Sequence, residues 1–365
     1  MNLLHKPFFK SIIVNNKVPV ISKEEIKEFS IGKNYFYKIE NKNITSLHKQ
    51  INKIFVEKIP LNNASVAFRK NRSYLHLFEP HRNNYNFLRL DIRSFFHSIE
   101  VKYIKKIFKN YIADDEYIDK ENTQSLLAAF INVITYEVPE NSQNQKFKGK
   151  RILPMGFITS PAISNIIFRP LDIQIQKICA QRGITYTRYA DDMLFSSVKK
   201  SEYLYSDDFI KEIRIILRQM NFKLNEHKTI KSKHTLSLNG YTLQYSSHTT
   251  DGIFSTEDVI QEVRLSNKKI NIIKKMVHMI NTQKKPSDYI LKKLCNYQLK
   301  WNGDPETPDF LKYNNDQLVN RLTGYRAYLL SIIQFNRKYN CTQEKTIKKY
   351  LGIVKDLEGI IGRMR

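Results

Sequence analysis

The chain has 365 residues, 41% of them apolar, enough to bury a core and to hold two or three subdomains and too apolar for wholesale disorder. Its 60 Lys+Arg against 35 Asp+Glu leave a net charge of +25, which calls for a polyanionic partner, because phosphates neutralised by Lys and Arg release counterions. No apolar run is long enough for a membrane span, and neither a basic amphipathic helix nor a lipidation motif points to a membrane surface. Residues 1–20 lack the apolar block of a secretory signal, and the widely spaced Cys179, Cys295 and Cys341 suit neither a disulfide frame nor a zinc cluster, so a cytoplasmic protein is expected.

Residues up to about 60 read as mostly helical and basic, and residues 62–82 as dense in cations and turn formers. Residues 87–92 (FLRLDI) read as a short apolar strand ending near an acid, Asp91. After Phe95 and Phe96, the apolar residues Ile104, Ile107, Phe108, Tyr111 and Ile112 recur at helical spacing. Residues 139–150 are polar and predict a surface loop. In residues 153–165 (LPMGFITSPAISN), Gly156 permits close backbone approach, and Ser160-Pro161 predicts a helix start with Ser as N-cap. That helix runs to about Gln181 and stops at Gly183; Pro170 should kink it or divide it in two. Residues 184–187 and 193–195 read as strands flanking a tight turn, Tyr189-Ala190-Asp191-Asp192. Residues 221–229 (NFKLNEHKT) bring Lys228. The texture changes again around residues 249–252. Residues 261–365 are largely helical and hold 21 of the basic residues but only 9 of the acidic ones, which favours a phosphate-gripping surface over balanced solvated helix faces. There is no internal repeat or long low-complexity linker.

Adjacent carboxylates are the informative chemistry. Two like charges about 4 Å apart repel by about 4 kcal/mol at an effective dielectric of about 20, a cost that a bound cation removes. An Asp-Asp pair is also an ordinary hairpin tip, and Asp91 alone is an ordinary strand end. Together, a strand-end acid beside a hairpin-tip pair would give three carboxylates around a metal cluster, and paired divalent metals sharing carboxylates serve in-line nucleotidyl transfer. Asp91 and Asp191 would bridge two Mg²⁺ ions, with Mn²⁺ as a substitute; Asp192 would support peripherally, and the Ile92 carbonyl would add an oxygen. Lys228 would be a cation near a triphosphate, or simply a solvated lysine.

These segments, in this order, resemble the palm of bacterial reverse transcriptases. LRLDIRSFFHSI looks like their first acidic motif, LPMGFITSPAISN like their LPQGxxTSPxxSN motif, TRYADDMLFS like their YxDD motif and NFKLNEHKT like their GFxLNxxKT segment. Leu238-Asn239-Gly240-Tyr241 falls where the primer-grip hairpin follows. The resemblance covers residues 60–245 well and is nearest to retron and defence-associated (abortive-infection-like) enzymes, whose GFRKGRS finger segment Phe68-Arg69-Lys70-Asn71-Arg72-Ser73 resembles. The chain departs from the retron pattern in three places. It has Leu77-Phe78-Glu79-Pro80-His81 for Asn-Ala-x-x-His, Leu238-Asn239-Gly240 for Val-Thr-Gly, and Met155 for Gln.

The resemblance implies an α+β right-hand polymerase with an antiparallel palm sheet and a helical C-terminal thumb. Its parts would be residues 1–86 (N-terminal helices and fingers), 87–250 (palm, with finger insertions at about 113–160) and 251–365 (thumb). It assigns catalysis to Asp91, Asp191 and Asp192, and nucleotide contacts to Phe96, Met155, Gly156, Arg69, Lys70 and Lys228. Phe96 would be the ring that selects deoxynucleotides, and Arg69 and Lys70 would hold triphosphate or, equally, template phosphate. Primer or template contacts would come from Tyr189, Gly240, Arg321 and Arg326. Gly324 would allow close backbone approach, and tyrosines and Trp301 would stack on unpaired bases. The implied function is RNA-directed DNA synthesis from dNTPs, copying a bound noncoding RNA into a DNA product in antiphage defence. A second copy of the chain or a partner defence protein would assist, with no membrane. The alternatives are a template-independent or protein-primed polymerase and a non-catalytic RNA-binding scaffold.

Overall fold

A computed structural model describes residues 4, 21–32, 34–113, 125–249, 257–295 and 307–365. It forms two compact units: residues up to 77 with 86–231, and residues 78–85 with 232–365.

The first unit opens on an antiparallel hairpin of β1 (Ile26–Ile31) and β2 (Asn34–Ile39). This corrects the helical expectation for the start of the chain. Phe29, Ile31, Tyr35, Phe36 and Tyr37 are β-forming residues on either side of Gly32, whose φ of +60° suits a turn. Helix α1 (Lys42–Ile54) follows, its first N–H groups capped by the Asn41 side chain, with Ile44, Leu47, His48 and Ile51 turned inward. Then come β3 (Asn86–Asp91), α2 (Val101–Phe108), α3 (Leu126–Ile134), and a short ribbon of β4 (Tyr136–Glu137) with β5 (Arg151–Ile152). The predicted polar loop lies between these two strands. It is pinned to the hairpin rather than left loose: Asn144 donates to the Tyr37 hydroxyl (2.9 Å) and Ser142 to Glu28 (2.6 Å).

Helix α4 (Ser160–Gln181) is a single helix that accommodates Pro170. Its N-cap is Thr159, not Ser160, and the Thr159 hydroxyl is taken up by His48 Nδ1 at 3.0 Å. The helix ends as expected at Gly183 (φ +62°), where the Ile184 N–H reaches back to the Cys179 carbonyl. Next are β6 (Thr185–Tyr189), β7 (Asp192–Ser197), α5 (Asp207–Arg218) and β8 (Ile230–Lys233). The central sheet has the order β6-β7-β3-β8, and its β6–β7 and β7–β3 pairs are antiparallel. Leu88, Leu90, Met193 and Phe195 from this sheet pack with Phe168, Ile175, Phe209 and Ile213 from α4 and α5 in one core. A packed core of this kind removes about 25 cal/mol of unfavourable hydration per Å² of apolar surface.

Among its described residues the second unit holds a three-stranded antiparallel sheet, β9 (Thr235–Leu238), β10 (Tyr241–Thr249) and β11 (Glu257–Leu265), and four helices. These are α6 (Asn267–Asn281), α7 (Ser287–Cys295), α8 (Pro308–Tyr339) and α9 (Glu344–Met364). Arg82 ties residues 78–85 into this unit by donating to the Tyr339 and Asn340 carbonyls at the end of α8. The fold is thus α+β with antiparallel sheets and a helical C-terminal region. Among the described residues no helix is long and apolar enough to cross a membrane.

Candidate active site

The site is built on strand register. Asp91, at the end of β3, lies directly opposite Asp192, at the start of β7. Tyr189 and Asp192 pair across the β6–β7 hairpin, leaving Ala190 and Asp191 as its tip. Ala190 has a left-handed backbone (φ +55°), a conformation that L-residues other than Gly, Asn and Asp seldom adopt. The tip is laid onto β3, because the Ile92 N–H donates to the Asp191 carbonyl at 3.0 Å. The structure therefore brings the three predicted acids together.

A cation unforeseen from the sequence joins two of them. Arg89 is two residues before Asp91 on β3, hence on the same face of the sheet. Its Nη2 donates to Asp91 Oδ2 at 3.0 Å and makes a very short contact to Asp192 Oδ1, where its Nε also donates at 2.7 Å. Its Nη1 donates to the Lys228 carbonyl, and Lys228 Nζ lies 3.1 Å from Asp91 Oδ2. Two cations thus answer three acids, and the imbalance is visible in Asp191. Burial, followed by the neighbouring Asp192 and Asp91 charges, pushes its carboxyl up to about 6. Burial also raises Asp192, with Arg89 pulling against it. Hard carboxylate oxygens such as these are the donor type that suits a magnesium-type ion. Among the described residues no trio of His, Cys, Asp or Glu side chains is arranged as metal ligands. The oxygens of Asp91 and Asp192 face Arg89 and Lys228 instead.

Beside the acids is a ring cluster. Phe95 is core, whereas the half-buried Phe96 meets Phe95 edge-on (5.3 Å) and Phe68 at 6.0 Å; Phe68 in turn touches Tyr189. Arg69 Nη1 donates to the Asn62 and Ser65 carbonyls. Phe68, Arg69 and Lys70 line a cavity of about 1030 Å³ together with Lys49 and Lys53 of α1, Lys58 just after it and Pro161 of α4. Those three α1-side lysines were not singled out by sequence; their isolated spacing gives no motif. Met155 and Gly156 are engaged within the chain. The Tyr37 N–H donates to the Met155 carbonyl (2.8 Å), and a Cβ at Gly156 would lie 2.6 Å from the Tyr37 carbonyl oxygen. The close approach that Gly156 permits is therefore to β2.

Gly240, Arg321 and Arg326 belong to the second unit. Asn239 (φ +48°) and Gly240 (φ +85°) form the two-residue turn between β9 and β10, as an Asn-Gly pair favours. The space at Gly240 is filled by Lys269, whose Nζ lies over the Tyr328 ring at 3.5 Å. Arg321 is exposed on α8, while Arg326 donates to Glu358 at 2.7 Å. Trp301 lies outside the described residues.

An antiparallel sheet backed by helices thus sets a hairpin-tip acid pair against a strand-end acid. Residues 36–243 match the family described as reverse transcriptase (RNA-dependent DNA polymerase), and the chain belongs to that family. Its curated relatives include the Retron Ec73 reverse transcriptase of Escherichia coli, 32% identical over 184 residues, covering 49% of this chain and 53% of that protein. The Retron Ec83 reverse transcriptase of E. coli is 23% identical over 242 residues, covering 64% and 74%. The Retron Mx162 reverse transcriptase of Myxococcus xanthus is 29% identical, covering 40% and 30%. The chain thus spans about half the length of the Ec73 protein. A solved telomerase from Candida albicans, in complex with a fragment of telomeric RNA, covers 92% of this chain and 65% of its own at a TM-score of 0.42 and 10% identity.

Proposed function

We propose that the chain is an RNA-directed DNA polymerase that copies a bound noncoding RNA into DNA from dNTPs. The observation that carries this reading is the register of Asp91 against Asp192 with Asp191 at the adjoining tip, three acids packed where their charges must be shared. Asp91, Asp191 and Asp192, with the Ile92 carbonyl, would hold divalent magnesium, two ions by preference and manganese as substitute, whose bound charge would activate the primer hydroxyl and stabilise departing pyrophosphate. Arg89 and Lys228 hold the acids in place before loading, and Lys228 then faces the triphosphate. Phe96, propped by Phe95 and Phe68, sets the sugar edge of the nucleotide. The cavity with Lys49, Lys53, Lys58, Arg69 and Lys70 suits a template strand, because five cations meet only Glu57 among its lining residues. This favours the template-phosphate role for Arg69 and Lys70. Tyr189, Gly240 and Arg321 serve primer and template, with Arg326 first engaged by Glu358. In this proposal residues 1–86 contribute fingers, 87–250 the palm and 251–365 the thumb, and the protein acts in the cytoplasm in antiphage defence, as the retron likeness suggests.

The test is incorporation of labelled dNTPs by the purified chain with its co-purified RNA, followed by sequencing of the product. The expected product is complementary to that RNA and is lost in the double variant Asp191→Asn, Asp192→Asn. Product made equally without RNA would replace templated with untemplated synthesis. Full biological activity of the double variant would leave only an RNA-binding scaffold.

A further inference from the structure

Behind the acid turn lies a charged pair with no exposure at all. Arg188 on β6 and Asp172 on α4 are both completely buried. Their contact is two-pronged: Nε to Oδ1 at 2.9 Å and Nη2 to Oδ2 at 2.7 Å. The Tyr186 hydroxyl donates to the same Oδ1 at 2.7 Å. The guanidinium lies over the Phe168 ring at 4.2 Å and near Phe95 at 5.7 Å. Burying an ion pair costs desolvation energy that its attraction seldom repays with interest, so stability alone is a weak reason for it.

The remaining nitrogen shows what the pair does. Arg188 Nη1 donates to the carbonyl of Ala190 at 2.9 Å. Ala190 is the left-handed residue of the turn, and its carbonyl belongs to the peptide that leads into Asp191. A left-handed alanine is held only when its surroundings over-determine it. Arg188 supplies that constraint from below, while the Ile92 N–H holds the Asp191 carbonyl from the side. The same arginine reaches the fingers. Its Nη2 contacts Ser65 Oγ, its N–H donates to the Ala64 carbonyl, and its carbonyl accepts from the Val66 N–H. Ser65 also offers its carbonyl to Arg69 of the cationic cavity.

We propose that Arg188, clamped by Asp172, is a positioning residue that fixes the Ala190–Asp191 peptide, and with it the aim of the acid pair, in register with the finger segment at residues 64–66. It touches no substrate. The proposal rests on the polymerase reading, but the aim of the turn has a readout of its own.

The test compares three chains. In the triple variant Tyr186→Phe, Asp172→Leu, Arg188→Met, the polar network is replaced by apolar groups of similar size, which often preserves stability, while the donor to Ala190 is lost. Arg188→Lys keeps the charge against Asp172 but lacks the planar fork needed to serve Asp172 and Ala190 together. Hydrogen exchange of the peptide spanning residues 186–194 is expected to speed up at least about tenfold in both variants with the unfolding midpoint near that of the parent. In single-nucleotide addition, kcat is expected to fall by about tenfold or more with KM for dNTP little changed, the pattern of a misaimed site rather than a lost binding contact. A variant with unchanged exchange in this peptide and parental kcat overturns the proposal. Should the triple variant unfold, Arg188→Lys decides on the same two readings. If the parent chain adds no nucleotide, the polymerase reading fails by itself, and exchange at residues 186–194 still judges the clamp.

Discussion

Arg89 bridges two of the three acids, and it does so across the sheet. Its partner Asp192 is more than a hundred positions along the chain, so no local pattern in FLRLDI signals the contact. The strand-end and hairpin-tip acids themselves were legible, because each sits at a break between apolar residues in a fixed order of motifs. Nothing in TRYADD singles out Arg188; only folding sets it against Asp172. Removing Arg89 tests its role. In Arg89→Met, Asp91 and Asp192 lose their common guanidinium in a setting where both are nearly buried. The expected cost is about 2–3 kcal/mol, the scale of charge-assisted hydrogen bonds lost at a buried carboxylate. Magnesium at roughly millimolar concentration should then stabilise the variant more than the parent by mass action. Urea unfolding with and without magnesium measures both, and an equal magnesium response in the two chains contradicts the shared-cation role. Phe96 makes a second residue-scale case. Its ring is held by Phe95 and Phe68 rather than lost in the core, so Phe96→Ala should open the sugar edge. The ratio of kcat/KM for a dNTP over its ribonucleotide should fall about tenfold or more, the worth of one well-placed steric contact.

At the scale of elements, strands and helices alternate over residues 87–112 and 153–245 as the apolar pattern predicts, while the β1–β2 hairpin did not read out. Its strands are only partly buried: β1 buries Ile26 alone, so the usual in-out alternation is weak, and interspersed Lys and Glu mimic a surface helix. What fixes the hairpin is distant, namely the ribbon loop holding Tyr37 and Glu28 and the loop at Met155 accepting from the Tyr37 N–H. Gly156 is where these elements meet. Its φ of +111° is closed to side chains, and a Cβ there would strike the Tyr37 carbonyl. Gly156→Ala should therefore cost about 2–3 kcal/mol of unfolding free energy and loosen the hairpin from the loop that leads into α4. A denaturation midpoint unchanged from the parent would show that β2 can step aside.

For the whole molecule, the net charge of +25 was the plainest message of the composition, yet stability is governed by the charges that the fold refuses to admit. Burial lowers His48 to about 4 and His81 to about 3; burial, aided by Lys146, lowers His97 to about 4. These imidazoles are neutral when folded and take protons near pH 6.5 when unfolded. Their contribution is therefore complete above about pH 6.5 and is lost as the pH falls toward the folded values, because the unfolded chain binds protons the folded chain does not. Each gives a slope of about 1.4 kcal/mol per pH unit in that window. Asp191 works the other way. With its carboxyl raised to about 6, protonation on acidification relieves repulsion in the folded chain and returns about one proton's worth of slope. Asp192, also raised by burial, acts in the same sense as Asp191, and the three imidazoles outweigh the two carboxyls, so stability falls as the pH drops toward about 5. Urea midpoints at about pH 7.5, 6 and 5 should fall already between the first two and more steeply between the last two. A midpoint flat down to about pH 5 would mean that the buried imidazoles accept protons within the fold, and that the packing around His48, His81 and His97 is open to water.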